Sequence, residues 1–165
     1  MKAIFHTDKN WGIGKDNDLM FSIPKDMKFF RETTSGKVVV MGKNTLRSFP
    51  GGKPLKNRVN IVLTHGDAGE GVVTVHSLTE LFEELKKYPP EDVFVIGGAS
   101  IYKMLIPYCT EVLVTKVDAD GGAEVFVPNL DEDKNFTLIQ MSEPIEDNGY
   151  TIQFCTYRNL AVKEI

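Results

Sequence analysis

Short hydrophobic runs recur along the chain, separated by polar turns or by stretches whose apolar positions follow helical spacing. Eight of these runs are rich in β-branched and aromatic residues, which favours extended strands over helices. We predict strands at Ala3–His6, Lys37–Met41, Val59–Leu63, Val72–Val75, Asp92–Ile96, Glu111–Val117, Phe136–Gln140 and Tyr150–Tyr157.

Helical periodicity fills several of the gaps between these runs. Pro24 suits the opening turn of a helix, and Ser77 is a favourable N-cap before an apolar stripe. We predict four helices: Pro24 to about Thr34, a short one after Gly42, Leu78–Lys87, and one that begins after Gly98 and ends near Pro107.

Strand and helix alternate through most of the chain, which favours a largely parallel sheet covered on both faces. The last two predicted strands have no helix between them and flank Glu146-Asp147-Asn148-Gly149, a hairpin-type turn with Asn-Gly at its tip. No repeat or linker marks an internal boundary. The sequence therefore predicts a single-domain α/β fold over residues 1–165, with a mixed, mostly parallel eight-stranded sheet, flanking helices and an antiparallel C-terminal edge.

Composition and charge exclude several classes of partner. Hydrophobic residues make up 42% of the chain and charged residues 25%, as in ordinary globular proteins. A net charge of −4 offers no basic surface to nucleic acid, and runs such as Val93–Ile96 are too short to span a membrane. The N-terminus turns polar too soon for a signal peptide. Cys109 and Cys155 form no CxxC pair; one bridge stays open, but reduced core cysteines in a cytoplasmic protein are our prediction.

The segment Gly97-Gly98-Ala99-Ser100-Ile101-Tyr102 follows a buried strand and opens a helix. Glycines at such a turn let the backbone approach a ligand, and free N–H groups at a helix start favour phosphate. A tight turn without a ligand is the alternative. Two standard phosphate motifs fail here: Asn17 breaks a GxGxxG pattern after Gly12, and the spacing of Gly36 and Gly42 does not fit a P-loop.

Two more strand ends carry phosphate-compatible residues. Lys43, Asn44 and Thr45 follow the strand that ends near Gly42, and Thr64-His65 follows the strand Val59–Leu63. Each set alone is consistent with solvated side chains beside a helix cap or turn. Because ligands of α/β sheets collect at the carboxyl ends of strands, the shared position indicates a nucleotide site.

Asp26 lies in the first turn of the helix that begins at Pro24. An acidic residue there commonly complements the helix dipole. Its neighbours Phe21, Ile23, Met27, Phe29 and Phe30 are apolar, however, so a carboxylate among them must be hydrogen-bonded or take up a proton. Such a group is a candidate acid or a recognition site for an amidine-like edge.

Other catalytic patterns are missing from the sequence. His6, His65 and His76 have no metal-ligand spacing, so we predict no metal site. No Gly-x-Ser-x-Gly elbow supports a nucleophilic hydrolase.

Five stretches, in this order, together give a specific family signal: Asn10–Leu19, Ile23–Phe30, Val40–Thr45, Pro54–Leu63 and Val95–Tyr102. Along essentially its whole length the chain resembles the dihydrofolate reductase family. The resemblance implies hydride transfer from NADPH to dihydrofolate, one-carbon metabolism as the context, and a monomer.

The resemblance also assigns a pterin site. Asp26 would accept hydrogen bonds from the pterin's 2-amino group and N3–H, and Thr115 would fix that carboxylate. Arg58 would bind the α-carboxylate of the glutamate tail. The remaining substrate contacts would come from side chains of Met27, Phe30, Phe49 and Leu55 and from the backbone of Ile4 and Ile96.

For NADPH, the family implies a cis bond between Gly97 and Gly98, with the following N–H groups of Ala99, Ser100, Ile101 and Tyr102 facing the pyrophosphate and Asn44 and Thr45 opposite. Lys43, Thr64 and His65 resemble the group that grips the 2′-phosphate. Gly14–Met20 would form a mobile lid over the nicotinamide, with His6, Ile13, Gly14 and Leu19 near its ring.

The sequence departs from the family pattern in three places. Phe21 stands where the family often has tryptophan, His6 replaces a usual small residue, and Glu124 replaces an aspartate that stabilises a closed lid in some relatives. His6 either alters cofactor packing or pH dependence, or points away from the cleft.

The sequence leaves two rival functions open. A reductase of the same fold could act on a pyrimidine intermediate of riboflavin synthesis, but such an enzyme should lack the pairing of Asp26 with Arg58. The other rival is a non-catalytic nucleotide- or pterin-binding module.

Overall fold

A computed structural model describes residues 1–165 and contains eleven strands and four α-helices. The strands are β1 (Lys2–Thr7), β2 (Gly12–Gly14), β3 (Val38–Gly42), β4 (Val59–Leu63), β5 (Val73–Val75), β6 (Val93–Gly97), β7 (Glu111–Val117), β8 (Val125–Phe126), β9 (Phe136–Met141), β10 (Ile145–Asp147) and β11 (Tyr150–Asn159). The helices are α1 (Pro24–Thr34), α2 (Lys43–Ser48), α3 (Leu78–Leu85) and α4 (Ala99–Leu105), with 3-10 turns at Pro50–Gly52, Pro90–Asp92 and Ile106–Tyr108.

The main sheet has the order β10-β11-β7-β1-β6-β3-β4-β5, and β9 also pairs with β11. The pairs from β7 through β5 are parallel, whereas β11 is antiparallel to all three of its neighbours. β9 and β10 share one edge of β11, so nine strands occupy eight positions. The predicted fold class is confirmed.

All eight predicted strands are present, with small differences at their ends. The three added strands, β2, β8 and β10, have at most three residues each and depend on pairing rather than on a hydrophobic run. The helix predicted over Leu78–Lys87 ends at Leu85, and Ser77 caps it by accepting from the Glu80 N–H at 3.1 Å.

Both faces of the sheet are buried, which explains its continuous apolar strands. In β3, Val38 and Val40 pack into one hydrophobic cluster while Val39 and Met41 pack into a second on the other face. Alternate residues of a strand point to opposite faces, so a run without polar positions fits a sheet covered on both sides.

The topology places several strand ends side by side. β1, β6, β3 and β4 are consecutive neighbours and run parallel. Their carboxyl ends therefore lie along one edge, which brings the segments after Thr7, Gly97, Gly42 and Leu63 together. Each of these segments contains a predicted ligand-binding residue or leads into the lid.

Cys109 and Cys155 are both free and buried. The prediction of two unbridged core cysteines is confirmed. Burial raises the pKa of the Cys109 thiol to about 12, so it stays protonated at neutral pH. None of the helices has the length and apolar character that crossing a bilayer requires.

Candidate active site

Asp26 is fixed by two side chains from the sheet below it. The Thr115 hydroxyl donates to its Oδ1 at 2.6 Å, and His6 Nδ1 lies 3.0 Å from its Oδ2. Only 15% of the Asp26 side chain is exposed. The predicted hydrogen bond from Thr115 is confirmed, whereas the contact with His6 was not expected.

Strand register brings these three residues together. His6 in β1 and Thr115 in β7 are directly paired in the parallel ladder, so their side chains project from the same face. Helix α1 begins above that face, and Asp26 lies in its first turn with its N–H bonded to the Ile23 carbonyl at 3.0 Å. The carboxylate therefore meets one donor on each oxygen.

The surroundings of Asp26 are largely apolar, as the sequence indicated. Phe21 and Ile23 are buried, and Phe29 and Phe30 are half-buried. Met27 is 54% exposed, which leaves its side chain available to a ligand in the cleft.

Arg58 lies beside the same helix. Its Nε donates to Thr34 Oγ1 at 2.9 Å, and its guanidinium carbon is 5.9 Å from the centre of the Phe30 ring. Burial, and then the charge of Arg31, lower the pKa of Arg58, although a guanidinium stays protonated at neutral pH. Neither arginine takes part in the ion pairs of the structure. Two cations without an acidic partner favour an anion at this position.

Asn60 positions the backbone of the neighbouring segment, a role that was not predicted from the sequence. It is 3% exposed within β4, where its Oδ1 accepts from the Leu55 N–H at 3.0 Å and its Nδ2 donates to the Leu55 and Arg58 carbonyls. These bonds hold the segment that carries two predicted substrate-binding residues. A polar residue inside a buried apolar strand was the signal that could have identified it.

The double-glycine turn after β6 has the geometry that the resemblance implied. The bond between Gly97 and Gly98 is cis, and Gly97 has a φ of 120°. A Cβ on Gly97 would lie 3.1 Å from the ring of Tyr102, so a side chain there would require that ring to shift. The predicted cis bond is confirmed.

Ile101 and Tyr102 are buried, so their side chains belong to the core and only their backbone can face a ligand. The Tyr102 hydroxyl donates to the Ile4 carbonyl at 2.8 Å. Burial, and then the charge of Asp26, raise the pKa of Tyr102, so its hydroxyl stays neutral. The hydroxyl thus links the start of α4 to β1, two residues before His6.

The turns after β3 and β4 lie next to the double-glycine turn. A Cβ on Gly98 would be 3.7 Å from Thr45 Oγ1, and Gly42 approaches the Ile101 side chain. No side chain caps the start of α2 or α4. Lys43 donates to the Asp67 carbonyl, which places its ammonium near the turn that begins at Thr64 and His65. His65 is exposed, and Asn44 is exposed at the start of α2.

The predicted lid is tied to two distant segments. The Asp16 N–H donates to Glu124 Oε1 at 2.8 Å, and Asn17 Nδ2 donates to the Asn44 carbonyl at 3.4 Å. β2, which contains Ile13 and Gly14, pairs with β8. Leu19 is 61% exposed. Glu124 therefore contacts the lid, as expected for the residue that replaces an aspartate.

No group of three or more His, Cys, Asp or Glu residues is placed to hold a metal ion. The predicted residues fall into two regions. In the first, Phe30, Phe49 and Leu55 pack against the cluster that contains Ile4 and Ile96. Helix α1 joins this cluster to the charged groups, because it carries Met27, Asp26 (bonded to Thr115) and Phe30 (beside Arg58). The second region follows β3, β4 and β6. The binding roles of these residues remain predictions.

Comparisons with known proteins agree with this geometry. The sequence model of the family described as "Dihydrofolate reductase" matches residues 1–159. A dihydrofolate reductase of Bacillus subtilis (strain 168) is 37% identical, over 93% of this chain and 91% of that protein. One from Enterococcus faecium is 34% identical over 96% of both.

A solved structure is also similar to the whole chain. It is dihydrofolate reductase from Enterococcus faecalis complexed with NADP(H) and RAB-propyl, with a TM-score of 0.84 and 33% identity. The match covers 96% of this chain and 95% of that one.

Proposed function

This chain belongs to the dihydrofolate reductase family and reduces 7,8-dihydrofolate to tetrahydrofolate with hydride from NADPH, and we propose that Asp26 holds the pterin during that reaction. The observation that carries the proposal is the Asp26 carboxylate, 15% exposed, with one hydrogen-bond donor on each oxygen. Nothing in the comparisons favours a pyrimidine substrate or a non-catalytic module.

The acceptor capacity of Asp26 matches the pterin edge. A carboxylate has about four lone-pair positions. Thr115 and His6 use one on each oxygen, which leaves one on each for the two parallel donors, N3–H and the 2-amino group. Dihydrofolate therefore completes the hydrogen bonding of a group that the apolar wall shields from water.

Arg58 is our candidate for the glutamate tail. Its guanidinium is partly buried, lacks an acidic partner and is oriented by Thr34. A planar guanidinium can form two parallel hydrogen bonds to a carboxylate, which suits the α-carboxylate of the substrate. Met27, Phe30, Phe49 and Leu55 would then contact the rings between the two charged ends.

The turns after β3, β4 and β6 fit NADPH. Neither residue of the double-glycine turn carries a Cβ, so the backbone can approach a pyrophosphate closely. Asn44 and Thr45 lie opposite this turn, while Lys43, Thr64 and His65 would hold the 2′-phosphate. The bound cofactor supplies hydride from its nicotinamide ring. The protein orients the pterin against that ring and excludes water with the lid segment Gly14–Met20, near His6, Ile13 and Leu19.

Reduction also requires a proton at N5 of the pterin. Asp26 binds the opposite edge of the pterin, so it cannot donate that proton directly. We propose that water entering past the lid supplies it, while the Asp26 charge raises the proton affinity of N5 through the hydrogen-bonded ring.

Residues 1–165 are proposed to act as one cytoplasmic, monomeric domain without a nucleic-acid partner. One sheet takes strands from Lys2 to Asn159, which supports a single domain. Two buried free cysteines suit a reducing compartment. The net charge of −4 disfavours nucleic acid.

The direct test is loss of NADPH absorbance with three substrates: dihydrofolate, dihydropteroate without its glutamate, and an aminopyrimidine intermediate of riboflavin synthesis. We expect turnover with dihydrofolate, a higher KM with dihydropteroate and no turnover with the pyrimidine. NADH in place of NADPH should raise the cofactor KM. Turnover of the pyrimidine in preference to dihydrofolate would refute the proposed site.

A further inference from the structure

The imidazole of His6 is buried beside Asp26. Its side chain is 4% exposed, and its ring centre lies 5.9 Å from that of Phe21. Nδ1 is 3.0 Å from Asp26 Oδ2. The other ring nitrogen, Nε2, is buried and has no hydrogen-bond partner.

The partner of Nδ1 determines the tautomer of the ring. An ionised carboxylate can only accept, so Nδ1 must carry the hydrogen that His6 shares with Asp26. In a neutral ring Nε2 is then a buried acceptor without a donor, which is unfavourable. The hydrogen bond from Nδ1 to the charged carboxylate outweighs that cost and keeps the hydrogen on Nδ1.

The groups around His6 leave Asp26 as its charged partner. β7 contributes the neutral hydroxyl of Thr115, and the segment before α1 contributes the ring of Phe21. Tyr102 in α4 stays neutral because burial and the Asp26 charge raise its pKa. Asp8, two residues along from His6, already accepts hydrogen bonds from three backbone N–H groups.

We propose that His6 is a positioning residue of the pterin site, whose Nδ1–H holds one oxygen of Asp26 in the orientation that the pterin edge requires. This inference rests on the proposed role of Asp26.

Two substitutions separate the hydrogen bond from the bulk of the side chain. His6→Gln keeps an N–H donor, whereas His6→Val occupies the space without one. At pH 7.5 we expect His6→Val to raise the KM for dihydrofolate roughly tenfold, the loss of a hydrogen bond to a charged group, and His6→Gln to recover most of that loss. A wild-type KM for His6→Val, or a KM for His6→Gln as high as that of His6→Val, overturns the proposal.

Long-range ¹H–¹⁵N NMR of the intact protein tests the pair without an activity assay. Only His6, His65 and His76 contribute imidazole signals. We expect the Nδ1–H tautomer for His6 at pH 7.5 in wild type, and the Nε2–H tautomer in Asp26→Asn, where Nδ1 can accept from the amide. An active enzyme whose His6 is the Nε2–H tautomer overturns this inference alone. Failure of wild type to turn over dihydrofolate overturns the proposed function, whatever the tautomer.

Discussion

Replacing Asp26 with asparagine tests the proposed pterin site most directly, because the side chain keeps its shape and loses its charge. The carboxylate would offer dihydrofolate two charge-assisted hydrogen bonds, each worth about 1.5–3 kcal/mol. Asparagine has one acceptor oxygen, and its amide would place donors against the pterin's own donor. Losing one bond outright and the charge assistance of the other costs about 2.5–4.5 kcal/mol, which lowers kcat/KM by roughly 10²- to 10³-fold at 1.36 kcal/mol per tenfold.

The same substitution should leave the fold intact. The asparagine oxygen can still accept from Thr115, and a neutral His6 can change tautomer to accept from the amide. We therefore expect a similar midpoint of urea unfolding alongside the loss of activity. Initial rates of NADPH oxidation from pH 6 to 8, at varied dihydrofolate, measure kcat/KM.

A matched control removes an exposed carboxylate. The Glu83 side chain is 67% exposed and pairs only with Lys86, so Glu83→Gln changes the net charge by the same amount without touching the cleft. Its kcat/KM should equal that of wild type. If Asp26→Asn retained kcat/KM within a factor of about ten of the control, the two hydrogen bonds assigned to Asp26 would not exist.

Three further outcomes are expected. Arg58→Gln should raise the KM for dihydrofolate about 10- to 100-fold, through lost charged hydrogen bonds, and leave the KM for dihydropteroate unchanged. Lys43→Met should raise the KM for NADPH roughly tenfold and leave that for NADH unchanged in the same assay. For Asp131, burial raises the pKa, but hydrogen bonds from Tyr157 and Lys116 outweigh it and the net pKa is lowered. A lowered carboxyl pKa stabilises the fold above the unfolded pKa and loses that effect on acidification. Asp131→Asn should therefore reduce the free energy of unfolding by less than about 1 kcal/mol at pH 7, since the side chain is 48% exposed, with the difference shrinking as the pH falls through the lowered carboxyl pKa.

Each of these outcomes has a contrary result. Equal changes for dihydrofolate and dihydropteroate in Arg58→Gln would place the guanidinium away from the glutamate tail. Equal changes for the two cofactors in Lys43→Met would separate that residue from the 2′-phosphate. A stability difference for Asp131→Asn that stays the same on acidification in urea titrations would show that packing, and not charge, is the cause.

The strands were predictable because burial on both faces leaves a direct trace in the sequence. β3 alternates between two cores, so each of its valines and Met41 had to be apolar. β2, β8 and β10 left no such trace, since each has only two or three residues. β2 and β8 form through long-range pairing with each other, whereas β10 pairs with β11 across the Asn148-Gly149 turn, which the sequence did show. The edge shared by β9 and β10 depends on how both strands pair with β11 and has no local signal.

The functional site was likewise predictable only in part. Asp26 and the double-glycine turn were visible because a carboxylate among aromatic residues and paired glycines before a helix are unusual locally. The contact between His6 and Asp26 depends on the register of β1 against β7, over 100 residues away in the chain. No local pattern encodes that register, although the resemblance did mark His6 as a departure.

The edge of the sheet has a consequence for handling the protein. β9 has β11 on one side only, and its Leu138, Ile139 and Met141 side chains are 40%, 41% and 54% exposed. An apolar outer strand with free backbone groups is a template for intermolecular β-pairing. The exposed strand is only six residues long, because the segment Ser142-Glu143-Pro144 separates it from β10. Proline has no backbone N–H to donate to a strand of a neighbouring chain. Concentrated stocks will therefore self-associate first along β9, and a lysine at Ile139 should raise solubility without disturbing the cleft.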